Sequence, residues 1–240
     1  MSLDPAKTLA TESAGCDSPS RPTWWDHCAP VLQCRIELSN TLTHGFGLLL
    51  ALIGTVVLVR AAVDQGSLAK IIACAAYSAS LIAVYAASTL SHLVHEPRRR
   101  AWFRSIDQGC IFLLIVGTYT PFGVAIPGWN WPLQLLVLMW AIALAGFVSK
   151  VLFFHRIEAV SVFSCVLMGW MPCTTIPAFR GVFPPECLWL MLAGGLAYTI
   201  GTLFLVKDHR NWFFHATWHL FVIAGSTLHY LAILWYAVPA

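Results

Sequence analysis

Seven stretches of the chain run almost without charge, at 42–59, 71–94, 106–126, 132–149, 159–179, 187–206 and 212–238. A helix rises 1.5 Å per residue and hydrocarbon is about 30 Å thick, so stretches of this length predict seven membrane-crossing helices. The single carboxylate inside any of them is Asp107. Between the runs lie short loops with turn residues, as at Pro127, Gly128, Trp129, Asn130 and at Arg180, Gly181, Pro184, Pro185. Trp129 and Trp131 sit where an interfacial aromatic belt is expected. No internal repeat and no soluble second domain is visible.

Composition agrees. Hydrophobic residues make up 58% and charged residues 10% of the 240, and the mean hydropathy is +0.72. A water-soluble domain does not have this balance, whereas an all-α, multi-pass protein of the cell (inner) membrane does. Residues 1–41 differ in kind, with scattered Asp, Glu, Lys, Arg, Ser and Pro and no apolar core of signal-peptide type. They read as a polar tail, disordered to about Trp24, ahead of a membrane domain at 42–240. The formal charge of +3 is too small to point to nucleic acid. The eight cysteines form no CxxC pair; Cys173 and Cys187 flank one loop and would pair only if that loop faced an oxidising compartment.

Lys and Arg are unevenly placed. The tail and the loops after the second, fourth and sixth helices carry eleven: Lys7, Arg21, Arg35, Arg98, Arg99, Arg100, Arg104, Lys150, Arg156, Lys207 and Arg210. The other loops carry three, Arg60, Lys70 and Arg180. The positive-inside rule then puts the N-terminus in the cytoplasm and the C-terminus outside.

This topology brings four groups to one depth at the cytoplasmic face: His92 ending the second run, Asp107 opening the third, and His215 and His219 opening the last. Ionisable groups at the rim of apolar helices are costly there, which makes them functional candidates. His215 and His219 are one turn apart, so both imidazoles can reach one ion, and His92 can supply a third nitrogen. Three ligands leave an open position for water of lowered pKa. Asp107 is placed to orient or deprotonate that water, and Ser88, one turn before His92, to hold it or polarise a carbonyl. His44 is at a similar depth, whereas His229 is about 15 Å further along the last helix and is not expected to join.

Each element also has a plainer reading. An HxxxH pair at a helix mouth can simply sit among headgroups, Asp107 can be a helix N-terminal charge favoured by the macrodipole, and Ser88 can pack among Ala86, Ala87, Thr89 and Ser91. His95, His155 and His209 lie in basic loops and are expected to be solvated.

The stretch from Glu37 to Gly45, the Ser88–His92 SxxxH, the run from Asp107 to Phe122 and the His215–His219 HxxxH together resemble the hemolysin III family. That family is the bacterial branch of the progestin and adipoQ receptors, in a superfamily with the alkaline ceramidases. The similarity covers about residues 35–236. It implies a seven-helix bundle holding Zn2+ on His92, His215 and His219, with Asp107 acting through a metal-bound water and Ser88 behind it. Two positions depart from the bacterial pattern, Gln108 where His is usual and Ala216 where Glu is common.

The expected function is zinc-dependent hydrolysis of a lipid amide or ester, ceramidase-like, with membrane lipid as substrate or ligand and the acyl chain in a cavity of the bundle. The rivals are a membrane-permeabilising protein and a receptor or sensor with a structural zinc. A wide pore would line several helices with polar residues, and the fourth and sixth have few, Gln134 and Thr199 among them. A closed structural site would need a fourth protein ligand, which His44 or Asp107 could provide.

Overall fold

The computed structural model describes residues 23–128, 130–152, 159–208, 211 and 213–240, with side chains from Cys34 on and outside 153–161. Among the described residues every regular element is helical. In chain order come α1 (Thr23–Asp64), α2 (Leu68–Leu93), α3 (Pro97–Ala125), α4 (Trp131–Leu152), α5 (Ala159–Trp170), α6 (Pro185–Val206) and α7 (Phe213–Ala232). α5 runs on through a 3-10 stretch, Met171–Thr175, and a helical turn, Ile176–Phe179. α7 ends in a π-helical turn, Ile233–Ala237. Seven of the resulting segments are long and apolar enough to cross a membrane. In hydrocarbon every backbone polar group must be satisfied within the protein, which a helix does for itself. Leu42, Val56, Phe163 and Leu203 are more than half exposed, as residues facing lipid tails are. The protein is an integral, multi-pass membrane protein.

Local chemistry starts and stops the helices. Ser67 caps α2 at the Lys70 amide, and Gly66 before it has the positive φ of 71° that a side chain would strain. Glu96 caps α3, its carboxylate accepting from the Arg99 amide at 2.8 Å and the Arg98 amide at 2.9 Å, with Pro97 in the first turn. These two amides, Arg99 first, hold the Glu96 carboxyl below the usual carboxylate range. α2 and α3 pack closely at Gly117, where a Cβ would run into Ser80 Oγ.

α1 begins earlier than the apolar pattern predicts. Its membrane-crossing part starts at Cys34, and Glu37 and Asn40, assigned to the tail by the sequence pattern, are helical and buried. Glu37 pairs with His92 and Arg100 on other helices, so the helix carries it into the protein without an apolar run to announce it. Residues 1–22, with Cys16, lie outside the described residues. Cys173 and Cys187 are both free thiols, the first exposed and the second buried.

Candidate metal centre

The C-terminal turn of α2 and the N-terminal turns of α7 converge, as the HxxxH and SxxxH spacings predict. Ring nitrogens of His92, His215 and His219 lie within 4.8 Å of one another. His92 and His219 are buried and His215 is half-buried. Their rings meet edge to face, with centroids 5.0 Å apart for His92 and His215, 5.2 Å for His92 and His219, and 4.7 Å for His215 and His219.

Each imidazole is held from behind at Nδ1. His92 Nδ1 is 2.8 Å from Glu37 Oε2, and His215 Nδ1 is 3.1 Å from Asp208 Oδ2. A carboxylate only accepts, so both rings donate from Nδ1. His219 Nδ1 is 3.0 Å from Thr43 Oγ1, which is also in reach of the carbonyls of Ser39 and Asn40. His92 and His215 are held with Nδ1 as the donor, which leaves Nε2 to face the other way. Three imidazoles so grouped are a ligand set for a divalent metal ion, and hydrogen bonding of the far nitrogen is the usual support of such ligands. The residues present therefore fit a metal.

Arg100 completes the support of His92. Its guanidinium donates to Glu37 Oε1 while Glu37 Oε2 takes the His92 proton, and the Glu37 side chain is only 11% exposed. A buried carboxylate needs such partners. Glu37, Thr43 and Asp208 play no part in the sequence-level site. Glu37, Asn40 and His44 do stand at helical spacing, a polar stripe that becomes legible once α1 is known to start before Leu42. Asp208 sits in a loop seven positions before His215 and gives no comparable signal.

Ser88 is buried, and its hydroxyl faces the Asp107 carboxyl within hydrogen-bonding reach. Asp107 is thus tied to α2 one turn before His92, and it is not in the group of nitrogens within 4.8 Å. His44 is buried and stacks on His219, with ring centroids 3.5 Å apart and planes at 24°. His229 stays away from the triad and bonds the Met191 carbonyl at 2.9 Å. His95 is exposed, and His155 and His209 lie outside the described residues. Gln108 accepts from Lys150 Nζ at 3.0 Å.

An apolar cavity of about 580 Å³ lies among α3, α5, α6 and α7. Ile111, one turn from Asp107, and Trp218, beside His219, are on its wall, whereas none of the three histidines is. Its size is that of a small-molecule site.

A family profile described as Haemolysin-III related matches residues 32–230. Hemolysin-3 of Bacillus cereus is 33% identical over 207 residues, 85% of this chain and 92% of that protein. The Hemolysin-3 homolog of Bacillus subtilis (strain 168) is 33% identical over 202 residues, 84% of this chain and 94% of that protein. The monocyte to macrophage differentiation factor of Homo sapiens is 27% identical over 224 residues, 89% of this chain and 85% of that protein.

Proposed function

The chain belongs to the haemolysin-III related family, and from that premise we propose that it is a zinc-dependent membrane hydrolase of lipid amides or esters. The observation that carries this reading is the convergence of one ring nitrogen from each of the three histidines within 4.8 Å, with His92 and His215 held from behind by carboxylates at Nδ1. His92, His215 and His219 would hold the zinc, which when bound polarises a carbonyl and lowers the pKa of water.

The chain's own residues supply the rest. Glu37, Asp208 and Thr43 keep the three rings oriented. The Asp107 carboxylate takes the proton of the attacking water and returns it to the leaving amine or alcohol, and the Ser88 hydroxyl, by donating to that carboxylate, fixes its direction. The apolar cavity beside Ile111 and Trp218 takes the acyl chain. The eleven-to-three distribution of Lys and Arg puts the N-terminal tail, to about residue 41, in the cytoplasm and the site in the cytoplasmic leaflet.

The test offers ceramides and other acylated lipids to purified, zinc-loaded protein and measures free fatty acid. Release that stops on chelation and returns with zinc supports the reading. The bacterial relatives' name suggests the rival, membrane permeabilisation, and dye release from liposomes without any lipid hydrolysis would favour it.

A further inference from the structure

The apolar cavity runs away from the metal centre. Pro185 and Thr202, both on its wall, are seventeen positions apart on α6, so the cavity follows that helix for about 25 Å, most of the thickness of hydrocarbon. The chain passes from the end of α6 to the start of α7, where the triad lies. Thr202 and Trp218 therefore mark the end nearer the metal, and Pro185 marks the far end. Arg180, five positions before Pro185, is on the wall at that far end. It is the only Lys, Arg, Asp or Glu among the described residues of the wall.

An arginine at the rim of a membrane protein is often merely solvated, with its stem laid along apolar surface. Arg180 differs in two respects. Its backbone is pinned at the cavity: its N–H bonds the Ile176 carbonyl at 2.9 Å, and Phe179 and Phe183 on either side are 1% and 4% exposed, their rings packed edge to face at 5.3 Å. Its guanidinium also has no hydrogen-bond or ion-pair partner among the described residues. The hydroxyls on the wall are engaged within the protein. Those of Thr118, Thr199 and Thr202 donate to carbonyls of their own helices, that of Tyr119 to the Pro132 carbonyl, and that of Tyr198 meets Ser226 Oγ. A full positive charge with donors to spare, at one end of an otherwise apolar cavity, suits one apolar chain that ends in an anion.

We propose that the cavity binds a single-chain amphiphile with an anionic head, a carboxylate or a phosphate, which pairs with Arg180 while its chain runs inward towards Ile111 and Trp218. The head then lies at the end of the bundle opposite the metal centre, the reverse of an acyl chain whose carbonyl is at the triad. Both would occupy one cavity, so each excludes the other. The site stands on the cavity and Arg180 alone and does not require the triad to be catalytic.

The experiment offers palmitate, hexadecyl phosphate and hexadecanol, which share one chain length, to the full chain, zinc-loaded in a non-ionic detergent at a mildly alkaline pH that ionises both acids. The two anions are expected to raise the melting temperature more than the alcohol does, and the larger of their shifts identifies the head. Arg180→Gln should bind both anions about tenfold more weakly and the alcohol unchanged, and Arg180→Lys should recover most of the loss. Palmitate with a photoreactive group beside its carboxylate should label residues around Arg180 and Phe183. With the group at its methyl end it should label residues around Ile111 and Trp218. Equal shifts by anions and alcohol in the wild type, or an anion preference that survives Arg180→Gln, would overturn the proposal. So would the reverse labelling, which would put the carboxylate at the metal centre. Turnover is not read, so a protein that hydrolyses no lipid yet passes these tests would remove the hydrolase and leave the site at Arg180 standing.

Discussion

Glu37 Oε2 and His92 Nδ1 meet at 2.8 Å across 55 positions of chain, and the same carboxylate takes a bond from Arg100. One acidic residue on α1 thus joins the end of α2 to the start of α3 and sets the tautomer of a candidate ligand. Replacing Glu37 with Gln keeps its size but removes the charge that draws the His92 proton. The expected result is metal affinity about 10–100-fold weaker at unchanged stoichiometry, the usual cost of losing such a partner. Competition with a chelator of known affinity measures it, and an unchanged affinity would show that Glu37 does not orient His92.

The triad itself predicts one zinc per chain. His92→Ala, His215→Ala and His219→Ala should each weaken binding and lower the melting temperature, because an ion held only by the folded protein stabilises it by mass action. At free zinc a hundredfold above the dissociation constant that contribution is about 2.7 kcal/mol. His95→Ala, at an exposed position, should change neither quantity. Elemental analysis after dialysis decides, and full zinc content in a His215→Ala, His219→Ala double variant would refute the assignment.

Along the sequence Lys and Arg divide eleven to three between the tail with the loops after the second, fourth and sixth helices and the remaining loops, which predicts an exported C-terminus. A reporter joined after Ala240 should be active outside, and one inserted at 98–100 active in the cytoplasm. The opposite result would move the metal centre to the other leaflet.

The long apolar runs made the helices legible because lipid leaves the backbone no alternative to hydrogen-bonding itself. Their ends were legible only where turn residues stop the run, as at Pro127 and Gly128 after α3; the start of α3 at Pro97 was not, because the charge-free run begins only at 106. α1 lacks such a stop: Glu37 looks like a tail residue, yet its partners on other helices, His92 and Arg100, make it possible to bury it. The triad could be read because His215 and His219 share one helix and His92 ends another. The supports could not, since Glu37, Thr43 and Asp208 reach their histidines through tertiary packing, which no local spacing encodes.

Asp107 separates the catalytic from the structural role of the site. Its carboxyl faces Ser88 and lies outside the close group of imidazole nitrogens, an arrangement suited to a base acting through water. Asp107→Asn keeps the size and much of the hydrogen bonding but cannot take a proton. The expected outcome is retained zinc, an unchanged melting temperature and lipid turnover lower by roughly 10²–10⁴-fold. Ser88→Ala should have a smaller effect on turnover and none on zinc, because it acts only by directing Asp107. If Asp107 were instead a metal ligand, Asp107→Asn would release zinc and destabilise the bundle together, as loss of a histidine does. Zinc content, melting temperature and fatty acid release measured on the same preparations distinguish the two. A wild type that releases no fatty acid, beside an Asp107→Asn variant that loses its metal, would make the zinc a staple between helices and the protein a receptor or sensor.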